Sequence, residues 1–165
     1  MFWIAESFPG RIAILPRPRG GDWLEDEVKQ WRRSGIDTVV SLLTNDEVAD
    51  LALEREADAC RASGIEFVSF PILDRGLPKA SREAIDLSNG LAEQLAEGRN
   101  IGVHCRQGIG RSALVVAACL IASGLESEKA LRTISAARGL PVPETAEQRK
   151  WVIENAEFLR TPLPT

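Results

Sequence analysis

The chain has 165 residues, 44% of them hydrophobic, and a formal net charge of −4. That length and apolar content suit one soluble α/β domain over residues 1–165 with a single good core, and the acidic balance excludes a general polyanion-binding surface and a nucleic-acid face. No apolar run approaches a membrane span and no charged-then-apolar leader precedes Phe2, so neither membrane insertion nor secretion is implied.

Taken in order, Phe2–Ile4 and Arg11–Leu15 are short apolar runs around Ser7-Phe8-Pro9-Gly10, which predicts an opening hairpin or pair of edge strands. Arg17 and Arg19, in Pro16-Arg17-Pro18-Arg19-Gly20-Gly21, read as a solvated turn. Asp22 is placed to cap a helix carrying Leu24, Val28 and Trp31 on one face and stopped by Gly35. Ile36–Leu43 has the β-branched and aliphatic content of a buried parallel strand. Thr44 and Glu47 form a capping box that opens a helix running to about Ser63, and Ile65–Phe70 is the next strand. An amphipathic helix follows over Ser81–Glu97, with Ala84, Leu87, Leu91 and Leu95 in line. Strands alternating with helices predict right-handed crossovers and a mainly parallel sheet covered on both faces. Three further helices are expected, over Arg111–Ser123, Ser127–Arg138 and Glu144–Leu159; the first is apolar all round and is the core helix, and the last carries Trp151, Val152, Phe158 and Leu159 on one side. Thr161–Thr165 reads as a frayed tail.

The stretch His104-Cys105-Arg106-Gln107-Gly108-Ile109-Gly110-Arg111-Ser112 joins the apolar run Ile101–Val103 to the core helix. A loop feeding a helix N-terminus binds anions, because the first amides of the helix lack partners and its dipole is positive there. Gly108 and Gly110 let the backbone curl so that the amides of Arg106, Gln107, Gly108, Ile109 and Gly110 point at one anion. Inward amides, a helix N-terminus and the Arg111 guanidinium all favour the thiolate of Cys105, a nucleophile. Arg111 offers a planar fork to two phosphoryl oxygens. Ser112 has two compatible uses, as an N-terminal capping hydroxyl or as a donor to Cys105 when the thiolate leaves.

HCRQGIGRS resembles the H-C-x5-R-S/T signature of the cysteine-dependent protein tyrosine and dual-specificity phosphatase superfamily. The order of R-P-R-G-G, then W-R-R-S-G-I-D-T-V-V-S-L-L, then an acid loop and the cysteine loop is similar to compact phosphatases like the cyclin-dependent kinase-associated phosphatase. The resemblance implies a phosphate monoester hydrolase that needs no metal and no cofactor and acts on a phosphorylated protein or peptide.

Cleavage of a phosphate ester also needs a proton for the leaving oxygen. Asp74, in Pro71-Ile72-Leu73-Asp74-Arg75-Gly76-Leu77-Pro78 just past a strand end, is the best placed carboxyl, since parallel strand ends open on one edge; a turn-stabilising use is the alternative. Asp86 falls inside a helix and Asp46 in a helix first turn. The segment resembles the general-acid loop of the small dual-specificity phosphatases, which implies that Asp74 protonates the leaving group and then activates water. His104, the only histidine, is expected to be structural, fixing the loop and tuning the thiol through hydrogen bonds. Gln148 has two readings of equal weight: it completes a capping box with Thr145, and it resembles the glutamine that positions hydrolytic water in this superfamily. One histidine and scattered cysteines provide no metal ligand set. Cys60 and Cys119 lie on apolar or mixed helix faces and are expected to be inert. An odd cysteine count without framework spacing, with a thiolate nucleophile, suits the cytoplasm.

The chain has no tyrosine, and so lacks the tyrosine-bearing recognition loop of the larger tyrosine-specific phosphatases; a shallower pocket is the expectation. Arg106 adds one positive side chain at the rim, while Gln107 and Ile109 are neutral, where phosphoinositide-directed relatives carry lysines. A protein phosphatase is therefore favoured over a phosphoinositide phosphatase. Other readings are a catalytically weak phosphate-reading binding module, and arsenate reduction, which lacks a resolving cysteine near Cys105. Nothing in the sequence sets the oligomeric state.

Overall fold

The structure, a computed structural model, describes residues 1–160. The expected tail at Thr161–Thr165 lies outside the described residues. The N-terminal hairpin forms as β1 (Phe2–Trp3) and β2 (Ile12–Ile14), and the buried aliphatic run forms β3 (Thr38–Ser41). With β4 (Glu66–Ser69) and β5 (Ile101–His104) they make a five-stranded sheet in the order β1-β2-β5-β3-β4, antiparallel only between β1 and β2. β5 is central, and every residue in it is buried.

Successive side chains of a strand face opposite sides of the sheet, and each side has its own core. Ile12, Ile14, Val40, Ile101 and Val103 pack under α4 (Ser81–Ala96), α5 (Arg111–Ala122), α6 (Ser127–Arg138), α7 (Ala146–Glu154) and α8 (Ala156–Arg160). Ala13 and Val39 face α1 (Leu24–Arg33) and α3 (Glu56–Ala62), with Leu24, Val28, Trp31, Ala59 and Cys60. Every residue of α5 from Arg111 to Ile121 is buried, so it is the core helix, as its uniformly apolar sequence requires.

Four sequence expectations are corrected. Asp22 does not cap α1: the helix is entered through a 3-10 turn, Gly21–Trp23, with Asp22 inside it and no side-chain bond at the cap. The helix expected over Thr44–Ser63 is two, α2 (Asn45–Asp50) and α3. It breaks where Ala52 takes a φ of +53° and its carbonyl accepts the Gly21 N–H at 3.0 Å, a turn that carries Leu53 into the core. The last helix is likewise divided at Asn155, whose side-chain amide donates to the Trp151 carbonyl at 2.8 Å. Beyond that break Leu159 is buried but Phe158 is 64% exposed, off the face predicted for it.

Gly102 lies in β5 where a Cβ would stand 2.4 Å from Leu15 Cδ1, itself fully buried. Gly102→Ala is expected to destabilise the fold by about 1–3 kcal/mol through overpacking, lowering the thermal midpoint by several degrees; an unchanged midpoint contradicts the packing described.

Candidate active site

The parallel strands end on one edge, and the loops after β3, β4 and β5 meet there. Cys105, the residue after β5, is 3% exposed, and its Sγ accepts the Gly108 N–H at 3.2 Å. Gly108 takes a φ of +71°, and a Cβ there would meet Ile14 Cγ2 at 3.0 Å, so both conformation and space call for glycine. Arg106 and Gln107 are exposed at the rim and Ile109 is half-buried. Gly110 is the N-cap of α5, with no side chain claiming the first amides of the helix. The capping use of Ser112 is therefore corrected: it lies one residue inside the helix, fully buried, and its Oγ has no hydrogen-bond partner among the described residues, Cys105 included.

Arg111, 1% exposed, is held from several sides. Its Nη1 and Nη2 donate to Glu47 Oε2 and Oε1 at 2.7 and 2.9 Å, a two-pronged pair. Nη1 also donates to the Ile72 carbonyl at 2.9 Å and Nη2 to Asp74 Oδ1 at 3.0 Å. Hydrogen bonding to Arg111 holds the Glu47 carboxyl below its ordinary value against the opposing effect of burial. Burial pulls the Arg111 guanidinium down, but its bonds to Glu47 and the negative charges of Cys105, Glu47 and Asp74 leave it above its ordinary value. Glu47 is in place because α2 starts at Thr44: the Glu47 amide donates to Thr44 Oγ1 at 3.4 Å and its carboxylate accepts the Thr44 amide at 3.0 Å. The capping box and the arginine anchor are one side chain.

The loop after β4 brings Asp74 over this pair with its side chain 64% exposed. Arg75 has a φ of +56° and pairs with Glu144 at 2.6 Å, and the Gly76 carbonyl accepts Gln148 Nε2 at 3.1 Å. Gln148 makes the capping box with Thr145 through both reciprocal bonds, 3.2 and 3.1 Å. Fully buried, it also lies against Gly110, where a Cβ would stand 3.1 Å from its Oε1. Asp86 is occupied with Arg82 on α4, and Arg19 with Glu27.

His104 does not reach the thiol. Strand alternation turns its ring to the α1/α3 side, where Nε2 shares a hydrogen bond with Glu56 Oε1 at 2.6 Å and Trp31 lies 5.9 Å away between ring centres. Its bonding to the thiol is thus corrected to bonding to Glu56. Burial pushes the thiols of Cys60 and Cys119 up to about 12, with the Glu56 charge adding at Cys60. Sequence reasoning missed Glu47 as an anchor, Glu56, the Arg75–Glu144 pair, and Arg138, whose Nε donates to the Gly108 carbonyl at 2.7 Å. None has a local signal, since each partner lies 30 or more residues away. Among the described residues no group of three or more His, Cys, Asp or Glu is placed to hold a metal ion, and no helix is long and apolar enough to cross a membrane.

A family model described as the DSP-PTPase phosphatase of polymorphic toxin systems matches residues 15–125. The chain belongs to this DSP-PTPase family. It is 27% identical to cyclin-dependent kinase inhibitor 3 of Rattus norvegicus over 134 residues, which is 79% of this chain and 62% of that protein. The chain thus spans less than two thirds of the length of that curated relative. The crystal structure of kinase associated phosphatase with serine in place of its catalytic-site cysteine superposes with a TM-score of 0.79 at 22% identity, covering 93% of this chain and 89% of that one. Tk-PTP in its active form gives a TM-score of 0.74 at 26% identity, covering 94% and 97%. The matched span of this DSP-PTPase includes Glu47, Asp74, Cys105 and Arg111, whereas Arg138, Glu144 and Gln148 lie beyond it.

A carboxylate held below its ordinary value stabilises the fold above that value, 4.5 for glutamate, and the contribution is lost as pH falls through the depressed one. Urea unfolding from about pH 5 down to about pH 3 is expected to show the wild type losing stability more steeply than Glu47→Gln. At neutral pH the variant is expected to be less stable by about 1–3 kcal/mol, the cost of a charge-assisted bond lost from a buried group; equal stability at both ends of the range contradicts the anchor.

Proposed function

We propose that the chain is a phosphate monoester hydrolase, a protein tyrosine/dual-specificity phosphatase whose single domain spans residues 1–165 and whose cysteine forms a phosphoryl intermediate. The observation that carries this reading is the buried thiol and buried guanidinium at the two ends of one curled loop on a helix N-terminus, with the Asp74 carboxylate 3.0 Å from that guanidinium. In the first step the Cys105 thiolate attacks phosphorus in line, an S–P bond forms, the P–O ester bond breaks, and Asp74 gives its proton to the leaving oxygen. The amides of residues 106–110 and Arg111 hold the equatorial oxygens as charge spreads over them. In the second step water attacks phosphorus, Asp74 takes its proton, and the S–P bond breaks to return the thiolate. The Ser112 hydroxyl, without a partner among the described residues, is free to turn and donate to that thiolate.

Arg111 enters these steps pre-aimed, because Glu47 and the Ile72 carbonyl fix its plane before substrate arrives. Asp74 occupies Nη2, so an arriving phosphoryl oxygen displaces the side chain from the arginine and frees it, once protonated from solvent, to serve the leaving group. Gln148 and Glu144 hold the acid loop through Gly76 and Arg75. The substrate is a phosphorylated protein or peptide: Arg106 offers one exposed cation at the rim, and neutral Gln107 and Ile109 do not build a polyphosphate site. A thiolate nucleophile with two inert cysteines elsewhere suits the reducing cytoplasm.

Phosphate release from an aryl phosphate, under reductant and without added metal, is expected from the wild type and is expected to fall by on the order of 10⁴-fold or more in Cys105→Ser. Asp74→Asn is expected to slow alkyl phosphates by about 10²–10⁴-fold, and aryl phosphates less, because a good leaving group needs less protonation. Equal losses on both esters count against Asp74 as the acid. Phosphate binding without release by the folded wild type points instead to a phosphate-reading module.

A further inference from the structure

The anion loop is shaped from behind as well as from within. Gly108 turns its N–H towards the Cys105 sulfur, and its carbonyl accepts Nε of Arg138 at 2.7 Å. In a trans peptide the carbonyl of one residue and the N–H of the next point in opposite directions. With the Gly108 oxygen held outward, on the side of Ile14 and Arg138, the Ile109 N–H is aimed the other way, into the loop. A reversed peptide would present a carbonyl oxygen to the anion instead of a donor.

Arg138 is placed for this task by two distant elements. It ends α6, where a cation is favoured by the helix dipole, and Gly139 follows in the left-handed conformation at a φ of +73°. Its guanidinium carbon lies 4.0 Å from the centre of the Phe2 ring, a cation–π contact. Phe2 pairs with Ile14 across the hairpin, and Ile14 is the side chain against Gly108. The hairpin therefore supplies both the platform under Arg138 and the wall behind the loop.

The geometry points to Arg138 as a positioning residue, stacked on Phe2, that fixes the Gly108–Ile109 peptide in its anion-binding orientation. This rests on the phosphate-loop reading above and assigns a residue outside the span matched by the family model. Arg138 touches no reacting atom; it acts through the loop.

The test is calorimetric titration of the full chain with tungstate, a tetrahedral oxyanion bound without turnover, beside aryl phosphate kinetics and thermal melting. Arg138→Met is expected to weaken tungstate binding by about tenfold, as for one well-aligned amide donor to the anion lost, and to raise KM more than it lowers kcat. Arg138→Lys, which keeps a charge and a donor, is expected to recover most of the affinity. Arg132→Met, on an exposed position of the same helix, is expected to bind as the wild type does. Should Arg138→Met not fold, Phe2→Leu serves in its place; removing only the platform, it is expected to weaken binding by about threefold. Tungstate affinity within twofold of the wild type in folded Arg138→Met, or in folded Phe2→Leu where only that variant is available, overturns the assignment. Failure of the phosphatase reading has a different signature: tungstate binds, Arg138→Met weakens it, and no variant or wild type releases phosphate.

Discussion

The structure turns on a buried ion pair between Arg111 and Glu47, with the two terminal guanidinium nitrogens each on one carboxylate oxygen at 2.7 and 2.9 Å. Burying either charge alone is costly, so each residue demands the other. The pair fixes α2 against the first turn of α5, and through the Ile72 carbonyl and Asp74 it fixes the loop after β4 to the same point. Three segments far apart in sequence therefore converge on one guanidinium. For an anion site this is preorganisation: the arginine has no rotamers left to lose when phosphate arrives.

Sheet alternation explains how neighbouring residues come to serve different layers. His104 ends β5 and faces Trp31 and Glu56, whereas Cys105 belongs to the opposite core and opens on the loop. The histidine thus braces the strand from the far side. The acid loop is held at Arg75 and Gly76 by Glu144 and Gln148, the latter anchored in turn by Thr145 at the start of α7. In the proposed mechanism Asp74 leaves Arg111, and its neighbours Arg75 and Gly76 are secured elsewhere, by Glu144 and Gln148.

Much of this was legible in the sequence where the signal is local. The capping boxes at Thr44–Glu47 and Thr145–Gln148, the apolar core helix and the β-branched run Ile36–Leu43 each depend on residues within a few positions of one another; both boxes and the helix formed, and the run contains a strand at Thr38–Ser41. What failed was of two kinds. The breaks at Ala52 and Asn155 come from tertiary demands, the burial of Leu53 and Leu159, that override a continuous helical pattern. The partners of His104, Arg111 and the Gly108 carbonyl lie 30 or more residues away, and a residue such as Glu47, fully accounted for by its local cap, gives no sign of a second partner.

The most direct test of the account is to find where the phosphoryl group goes. Asp74→Asn, in which the intermediate breaks down slowly, is mixed with a phosphotyrosine peptide, quenched within milliseconds and digested for mass spectrometry. A phosphoryl group is expected on the peptide carrying Cys105, absent from the Cys105→Ser protein. Phosphate released with no labelled cysteine, or a phosphoryl group on another residue, would contradict it.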